Sequence, residues 1–230
     1  MRRGRSAPRR RPGAQDHPWV AVDVVVFTID EGDLLALLIK IKSGPNAGRW
    51  AFPGGLVGIR ESLEGAARRE LSEKTGVADI YMEQLCTFGA PDRNPVHRVV
   101  SVAYFALVPH KGLYLRCSPK YAEIGWFPVR SLPPLAYDHG EVAATALARL
   151  RSKLGYTNIA WSLLPEAFTL GELQEVYEVI LGRKLDRRNF RKKVLSLGVV
   201  RAAAGKRRGA HRPAQLYAFR SREPLIREIL

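Results

Sequence analysis

Runs of apolar residues mark the first elements of the chain. VAVDVVVFTI (20–29) and DLLALLIKI (33–41) meet at a turn-like EGD, which predicts a pair of strands. Three further strand-like runs follow, DIYMEQLCTF (79–88), RVVSVAYFALV (98–108) and AEIGWFPV (122–129). SGPNAGRWAFPGG (43–55) is rich in glycine and proline and predicts a loop.

Two helical patterns lie among these strands. ESLEGAARRELSEKTG (61–76) predicts a helix that Gly76 ends, and GEVAATALARLRSKL (140–154) predicts an amphipathic helix. Strands mixed with a few helices predict a layered α/β domain over residues 18–154.

The pattern changes in the C-terminal part, residues 155–230. After a connector, TLGELQEVYEVILG (169–182) predicts a helix with a capping box of Thr169 and Glu172. DRRNFRKKVLSLG (186–198) predicts a second helix, and the segments LGVVRA and AQLYAFR predict a hairpin around a basic tip. This order is typical of a winged helix-turn-helix.

The net charge of +15 lies mainly at the two ends of the chain. The middle is nearly neutral, whereas residues 156–230 hold 15 basic and seven acidic residues and residues 1–17 form a basic tail that we expect to be disordered. This asymmetry predicts a polyanion partner, and a solvated basic surface is the alternative. The order of the C-terminal elements favours double-stranded DNA over RNA or a membrane surface. The predicted DNA contacts are Arg187, Arg188, Asn189, Arg191, Lys192, Lys193, Lys206, Arg207 and Arg208.

The sequence has neither an apolar run of membrane-spanning length nor the apolar segment of a secretion signal. We therefore expect a cytoplasmic, nucleoid-associated protein without a membrane partner.

The helix predicted at 61–76 carries the candidate chemistry. Glu70 and Glu73 share a face, Glu61 lies just ahead, and Gly54-Gly55 would let a ligand approach the backbone. Clustered carboxylates suit Mg²⁺ and metal-assisted cleavage of a diphosphate. The alternative is a surface helix with i,i+4 pairs such as Glu70 and Lys74.

These residues resemble the Nudix box, G-x5-E-x7-R-E-U-x-E-E-x-G-U with U aliphatic. Eight of its fixed positions match, and one departs because Lys74 stands in place of a glutamate. The resemblance implies a Nudix α/β/α sandwich with a mixed sheet, in which Glu70 and Glu73 have catalytic or metal roles. An ammonium at position 74 supplies no ligand and repels a cation, so we expect a receptor that requires no cofactor. If hydrolysis remains, one Mg²⁺ would be held among Glu61, Glu70, Glu73 and Glu123.

Several segments are also similar to the NrtR family of Nudix-related transcriptional regulators, above all LLPEAFTLGELQEVYEVILGRKLDRRNFRKKVL (163–195). That resemblance implies a repressor of NAD synthesis or salvage genes whose degenerate Nudix domain senses ADP-ribose or a related nucleotide. We expect a homodimer on an inverted-repeat operator. The predicted ligand residues are Gly54, Gly55, Glu70, Glu73, Arg93, Arg98 and His139. An active Mg²⁺-dependent ADP-ribose pyrophosphatase and a sugar-sensing regulator are the alternatives.

Overall fold

The computed structural model describes residues 17–78, 80–110, 115–207, 213–227 and 229. Its first hairpin joins β1 (Trp19–Asp30) to β2 (Asp33–Ile41) in antiparallel register. Glu31 and Gly32 both have positive φ in the two-residue turn between the strands. Two residues in the left-handed conformation match the twist of the flanking strands. The predicted pair of strands is confirmed.

Seven strands form one mixed sheet. Its main path is β3-β2-β1-β6-β5, with β5 at Tyr81–Phe88 and β6 at Val99–Leu107, while β7 (Tyr121–Pro128) pairs with β2. β1 and β6 are parallel over nine residue pairs, and the other pairs are antiparallel.

The predicted loop at 43–55 is partly wrong, because it contains two short strands. β3 (Trp50–Ala51) pairs with β2, and β4 (Gly54–Leu56) pairs with β1. Their partner strands lie outside the segment, so a local pattern rich in glycine and proline does not indicate the pairing.

Helices cover both faces of the sheet. Val22, Val24 and Val26 of β1 face α1 (Leu63–Thr75), whereas Val25 and Phe27 face α2 (His139–Tyr156). Because both faces of β1 are buried, its sequence is an almost continuous apolar run rather than an alternating one. The α/β/α sandwich is confirmed, and α2 continues two residues beyond the predicted domain end at Leu154.

The C-terminal elements form the winged helix. α3 (Leu170–Leu181) begins at the predicted capping box, and the Asp186 side chain caps α4 (Arg187–Ser196). The wing is β9 (Val200–Arg207) and β10 (Ala214–Phe219), to which β8 (Phe168–Thr169) adds a third strand. β9 extends to Arg207, so Lys206 and Arg207 are strand residues and not part of the predicted tip.

The segment between α2 and α3 is more than a connector. Residues 159–163 form a buried 3-10 helix that packs into the same apolar core as α2 and α3. Asn158 donates to the Ser221 and Glu223 carbonyls at 3.2 and 3.0 Å and accepts from the Leu225 amide at 2.7 Å. The chain therefore returns after the wing and closes over the start of this segment.

No helix in the described ranges combines the length and apolar character needed to cross a membrane.

Candidate functional site

Helix α1 is capped at both ends by its own sequence. The Ser62 hydroxyl accepts from the Gly65 amide at the N-terminus, and Gly76 adopts the left-handed conformation at the C-terminus. These caps fix the register that turns Glu70 into the protein and Glu73 out of it. Glu70 is buried, while the side chain of Glu73 is 61% exposed.

Two cations occupy both oxygens of the Glu70 carboxylate. Arg69 Nη1 lies 2.6 Å from Oε1, and Lys74 Nζ lies 2.9 Å from Oε2. The i,i+4 pair between Glu70 and Lys74 is therefore present, but it lies inside the protein rather than on the surface.

Arg69 also holds the predicted acidic residue ahead of the helix. Its Nε and Nη2 donate to the two oxygens of Glu61 at 2.8 and 2.9 Å. The bonds from Arg69, followed by that from the Gly58 amide, lower the pKa of Glu61 to about 2. Glu61 is therefore an anion, and both oxygens of its carboxylate are bonded to Arg69.

A divalent metal does not fit this arrangement. Glu61 and Glu70 are paired with cations, Glu73 faces solvent, and Glu123 on β7 is 2.7 Å from Lys40. The described part of the chain contains no group of three or more residues that could hold a metal ion. Glu70 and Glu73, the possible metal ligands, are therefore not assembled into a site.

Lys74 lies where the missing carboxylate would be. Its side chain is only 13% exposed, and its ammonium contacts the Gly54 carbonyl and lies 5.0 Å from the ring centroid of Tyr121. Burial opposes the charge, but Tyr121 and Glu70 outweigh it and raise the pKa of Lys74. The ammonium is permanent across the physiological range.

The glycine pair is required by close packing. A Cβ at Gly54 would clash with the Val22 carbonyl and Asp23, and one at Gly55 would clash with the Glu70 carboxylate. The glycines therefore let β4 lie directly against β1 and α1.

A pocket of about 400 Å³ opens beside this strand. Gly54, Gly55, Arg93 and His139 line it as the sequence predicted, and so does Lys74. The remaining predicted ligand residues do not line it. Glu70 and Glu73 lie behind or outside it, and Arg98 instead donates to the carbonyls of Ala90 and Val99.

Arg93 is held in a buried network at the floor of the pocket. Its Nε and Nη2 donate to both oxygens of Asp138 at 2.8 and 2.7 Å, and Nη2 also reaches Asp23 at 3.2 Å. Burial disfavours the charge, but the bonds to Asp138 and Asp23 outweigh it and raise the pKa of Arg93. The Arg93 guanidinium therefore mainly holds this network together. The sequence had predicted that it would be free to bind a diphosphate.

His139 and Asp23 complete the network. The Phe52 amide donates to His139 Nδ1 at 2.9 Å, so the ring proton at Nε2 faces Asp23 Oδ1 at 3.4 Å. Burial alone would raise the pKa of Asp23, but His139, Ser101 and Arg93 lower it to about 2. The network ties β1 to the N-terminus of α2.

The sequence reasoning missed most of the other side chains at the pocket. Lys42 and Lys120 are exposed and lie together, with Lys42 Nζ 3.4 Å from the Pro119 carbonyl. Aromatic residues also line it, among them Trp19, Tyr121 and Tyr137. These residues are distant from one another in sequence and belong to no motif identified in the sequence.

The winged helix presents a basic face. Phe190 and Val194 of α4 are buried, and Arg188 and Lys192 project from the opposite side. Of the other predicted contacts on α4, Arg187, Asn189 and Lys193 are exposed, and Arg191 is half-buried.

The wing is anchored to α3. Arg207 Nη1 lies 2.8 Å from Glu172 Oε1, and Arg207 Nη2 donates to the Ala167 carbonyl at 3.1 Å. Lys206 is exposed, while Arg208 lies outside the described residues.

Sequence comparisons agree with both halves of this architecture. Residues 17–150 match the model of the NUDIX domain, and residues 160–219 match that of the NrtR DNA-binding winged helix domain. The fold and the site thus define a Nudix protein with an attached DNA-binding domain. Within that class, the chain belongs to the NrtR family of transcriptional regulators.

Three relatives are informative. An ADPR responsive transcriptional repressor, NtrR, of Acinetobacter baylyi is 38% identical over 206 residues, which span 88% of this chain and 82% of the relative. The crystal structure of Shewanella oneidensis NrtR complexed with a 27mer DNA superposes with a TM-score of 0.78 at 35% identity, covering 87% of this chain and 93% of that one. The NUDIX domain of the same protein complexed with ADP ribose gives a TM-score of 0.55 at 34% identity, covering 61% and 94%.

Proposed function

We propose that this protein is an ADP-ribose-responsive transcriptional repressor of genes for NAD synthesis or salvage. The observation that carries the proposal is the combination of a basic exposed α4 in a winged helix with a Nudix pocket whose metal position is taken by an ammonium. The similarity to an ADPR responsive repressor and to a DNA-bound NrtR supports it.

The DNA-binding step uses the exposed face of α4. Arg188 and Asn189 are the side-chain types that pair with two atoms of guanine and adenine, respectively. Their neighbours Arg187 and Lys193, with Lys206 on the wing, meet phosphates and set the register. As a homodimer, the protein would read two half-sites of an inverted repeat with two copies of α4.

The sensing step uses the pocket beside β4. Trp19 and Tyr137 offer ring faces to a base, while the lysines offer charge to a diphosphate. Release of DNA follows if the ligand binds the DNA-free arrangement more tightly than the DNA-bound one. Weakening of DNA binding by the ligand is the direction that the resemblance to the NrtR family implies.

We expect the pocket to bind without hydrolysing, because among the described residues no carboxylate that lines it is free to hold a metal. Wild-type protein is expected to hydrolyse ADP-ribose with Mg²⁺ no faster than the buffer. Lys74→Glu frees Oε2 of Glu70 and adds a second carboxylate, so Mg²⁺-dependent turnover should rise above that background. Substantial wild-type turnover that Lys74→Glu does not increase would contradict this account and favour the pyrophosphatase alternative.

The direct test is a selection from sheared genomic DNA of the source organism with and without ADP-ribose. Enrichment of one inverted repeat upstream of NAD-metabolism genes, abolished by ADP-ribose, is the expected result. Enrichment that ADP-ribose does not change would retain the repressor and reject this effector, with sugars tested next. Absence of enrichment over bulk DNA would reject the repressor.

A further inference from the structure

The Nudix fold implies a divalent cation between its helix and the ligand, and the residues that the structure describes offer no place for one. Glu70 is turned toward the pocket wall, but Arg69 and Lys74 have already neutralised it. A diphosphate still needs a counter-charge, because placing two negative phosphates in a half-enclosed pocket is costly without cations.

The structure supplies that charge from side chains. Lys74 lines the pocket from α1, Lys42 lines it from the residue after β2, and Lys120 lines it from the loop before β7. The carboxylate that lines the pocket, Asp23, is engaged by Ser101 at 2.6 Å and by Arg93 at 3.2 Å. The pocket surface is therefore positive without any bound ion.

Lys74 is the best placed of the three. Its ammonium is fixed by Glu70 and by the Gly54 carbonyl, whereas Lys42 and Lys120 are exposed to solvent. A fixed cation is organised before the ligand arrives and loses little side-chain entropy on binding. Gly54 and Gly55 let β4 pack directly against β1 and the Glu70 carboxylate, and this packing places the Gly54 carbonyl beside the ammonium.

We infer that Lys74 is a ligand-binding residue that takes the place of the metal, so that this pocket recognises the diphosphate of its effector without a divalent ion. This inference rests on the proposed function for the identity of the effector. Recognition of a diphosphate by Lys74 does not depend on that identity. Lys42 and Lys120 contribute additional charge at the mouth.

The test measures binding of ADP-ribose and of inorganic pyrophosphate to the full chain by calorimetry, in EDTA and in MgCl₂. Wild-type affinity for ADP-ribose should be the same within about twofold in the two buffers. Lys74→Met keeps the length and loses the charge, and it should weaken both ligands by about tenfold or more, equivalent to about 1.4 kcal/mol. Lys74→Arg keeps the charge and should retain most of the affinity.

Lys40→Met is the matched control. Lys40 lies on β2 next to the pocket-lining residues Ile39 and Ile41, but it pairs with Glu123 outside the pocket. The Lys40→Met substitution removes the same positive charge as Lys74→Met and should leave the binding of both ligands unchanged. Operator binding by Lys74→Met should equal that of the wild type, which separates loss of the site from loss of the fold.

Each outcome is decisive. Binding of ADP-ribose only in MgCl₂, or equal affinity in the wild type and Lys74→Met, overturns the role of Lys74 while the effector stands. Pyrophosphate binding that depends on Lys74, without any binding of ADP-ribose, supports the role of Lys74 and rejects the effector. Absence of binding by both ligands in both buffers overturns both proposals.

Discussion

Asp23 is an isolated carboxylate in an apolar strand, and the buried network around it gives the clearest consequence of a single residue. Its neighbours Ser101, Arg93 and His139 lower its pKa to about 2, against 3.8 for a free side chain. A carboxyl whose pKa is lower in the folded state stabilises the fold fully above its unfolded pKa. That contribution is lost as the pH falls through the folded value.

We therefore predict an acid-sensitive component of stability. The free energy of unfolding should fall by roughly 2 kcal/mol between about pH 4 and pH 2 through this one group. Asp23→Asn should be less stable at pH 6 and should lose this part of the pH profile, as measured by urea unfolding. The exposed neighbour of Arg93 provides the control, since Asp92→Asn should keep the wild-type profile. Identical profiles for Asp23→Asn and the wild type would show that the network does not stabilise the fold.

This network also marks the limit of what the sequence could predict at the residue scale. Arg93 and His139 were predicted to be near the ligand and do line the pocket, but their partners are tens of positions away. The one available signal was Asp23 itself, because a charge inside a buried strand requires a partner. Lys74 was different, since its i,i+4 spacing to Glu70 is local and visible in the sequence.

Among the elements, α2 joins the pocket to the winged helix. His139 at its start faces the pocket floor, and Arg151 near its end donates to the Ile180 carbonyl at the end of α3 at 2.9 Å. Eighteen helical residues span about 27 Å, so one rigid rod touches both functional regions.

We predict that Arg151 couples the two regions. Arg151→Met should leave ADP-ribose affinity and operator affinity within about threefold of the wild type, while the ligand-induced loss of DNA binding becomes smaller. Fluorescence anisotropy on operator DNA at increasing ADP-ribose measures this directly. Arg149→Met is the control on the same helix, because Arg149 pairs with Glu83 inside the Nudix domain. An unchanged ligand response in Arg151→Met would exclude this contact from the coupling.

Elements were predicted well where their signals are local. The N-terminal caps and apolar stripes of α3 and α4 lie within a few residues, and the structure confirms both helices. β3, β4 and β8 were missed because two- or three-residue strands depend on partners elsewhere in the chain. The glycines of β4 are needed for close packing, yet in the sequence they resemble those of a turn.

At the scale of the whole molecule, the positive charge is concentrated in the winged helix. Seven acidic residues oppose 15 basic ones in residues 156–230, so binding to DNA should weaken steeply with salt. The basic residues nevertheless differ in role. Arg188 is central on the exposed face of α4, whereas Lys193 lies toward its edge.

Two substitutions should separate these roles. Arg188→Ala should cost about 1–3 kcal/mol on the operator and relax the sequence preference at one base position. Lys193→Ala should weaken operator and random DNA equally and reduce the slope of log K against log salt by about one. Salt titrations with both DNAs measure the difference. Equal losses on operator and random DNA for Arg188→Ala would exclude it from base recognition.

The closure of the chain over Asn158 has a genetic consequence. A stop codon just after Arg220 would leave α4, the wing and every predicted DNA contact translated, yet it would remove the three carbonyl and amide partners that Asn158 binds in residues 221–225. Late nonsense alleles should therefore behave like early ones in a screen for loss of repression. A reporter protein for imaging is better fused to the other end of the chain.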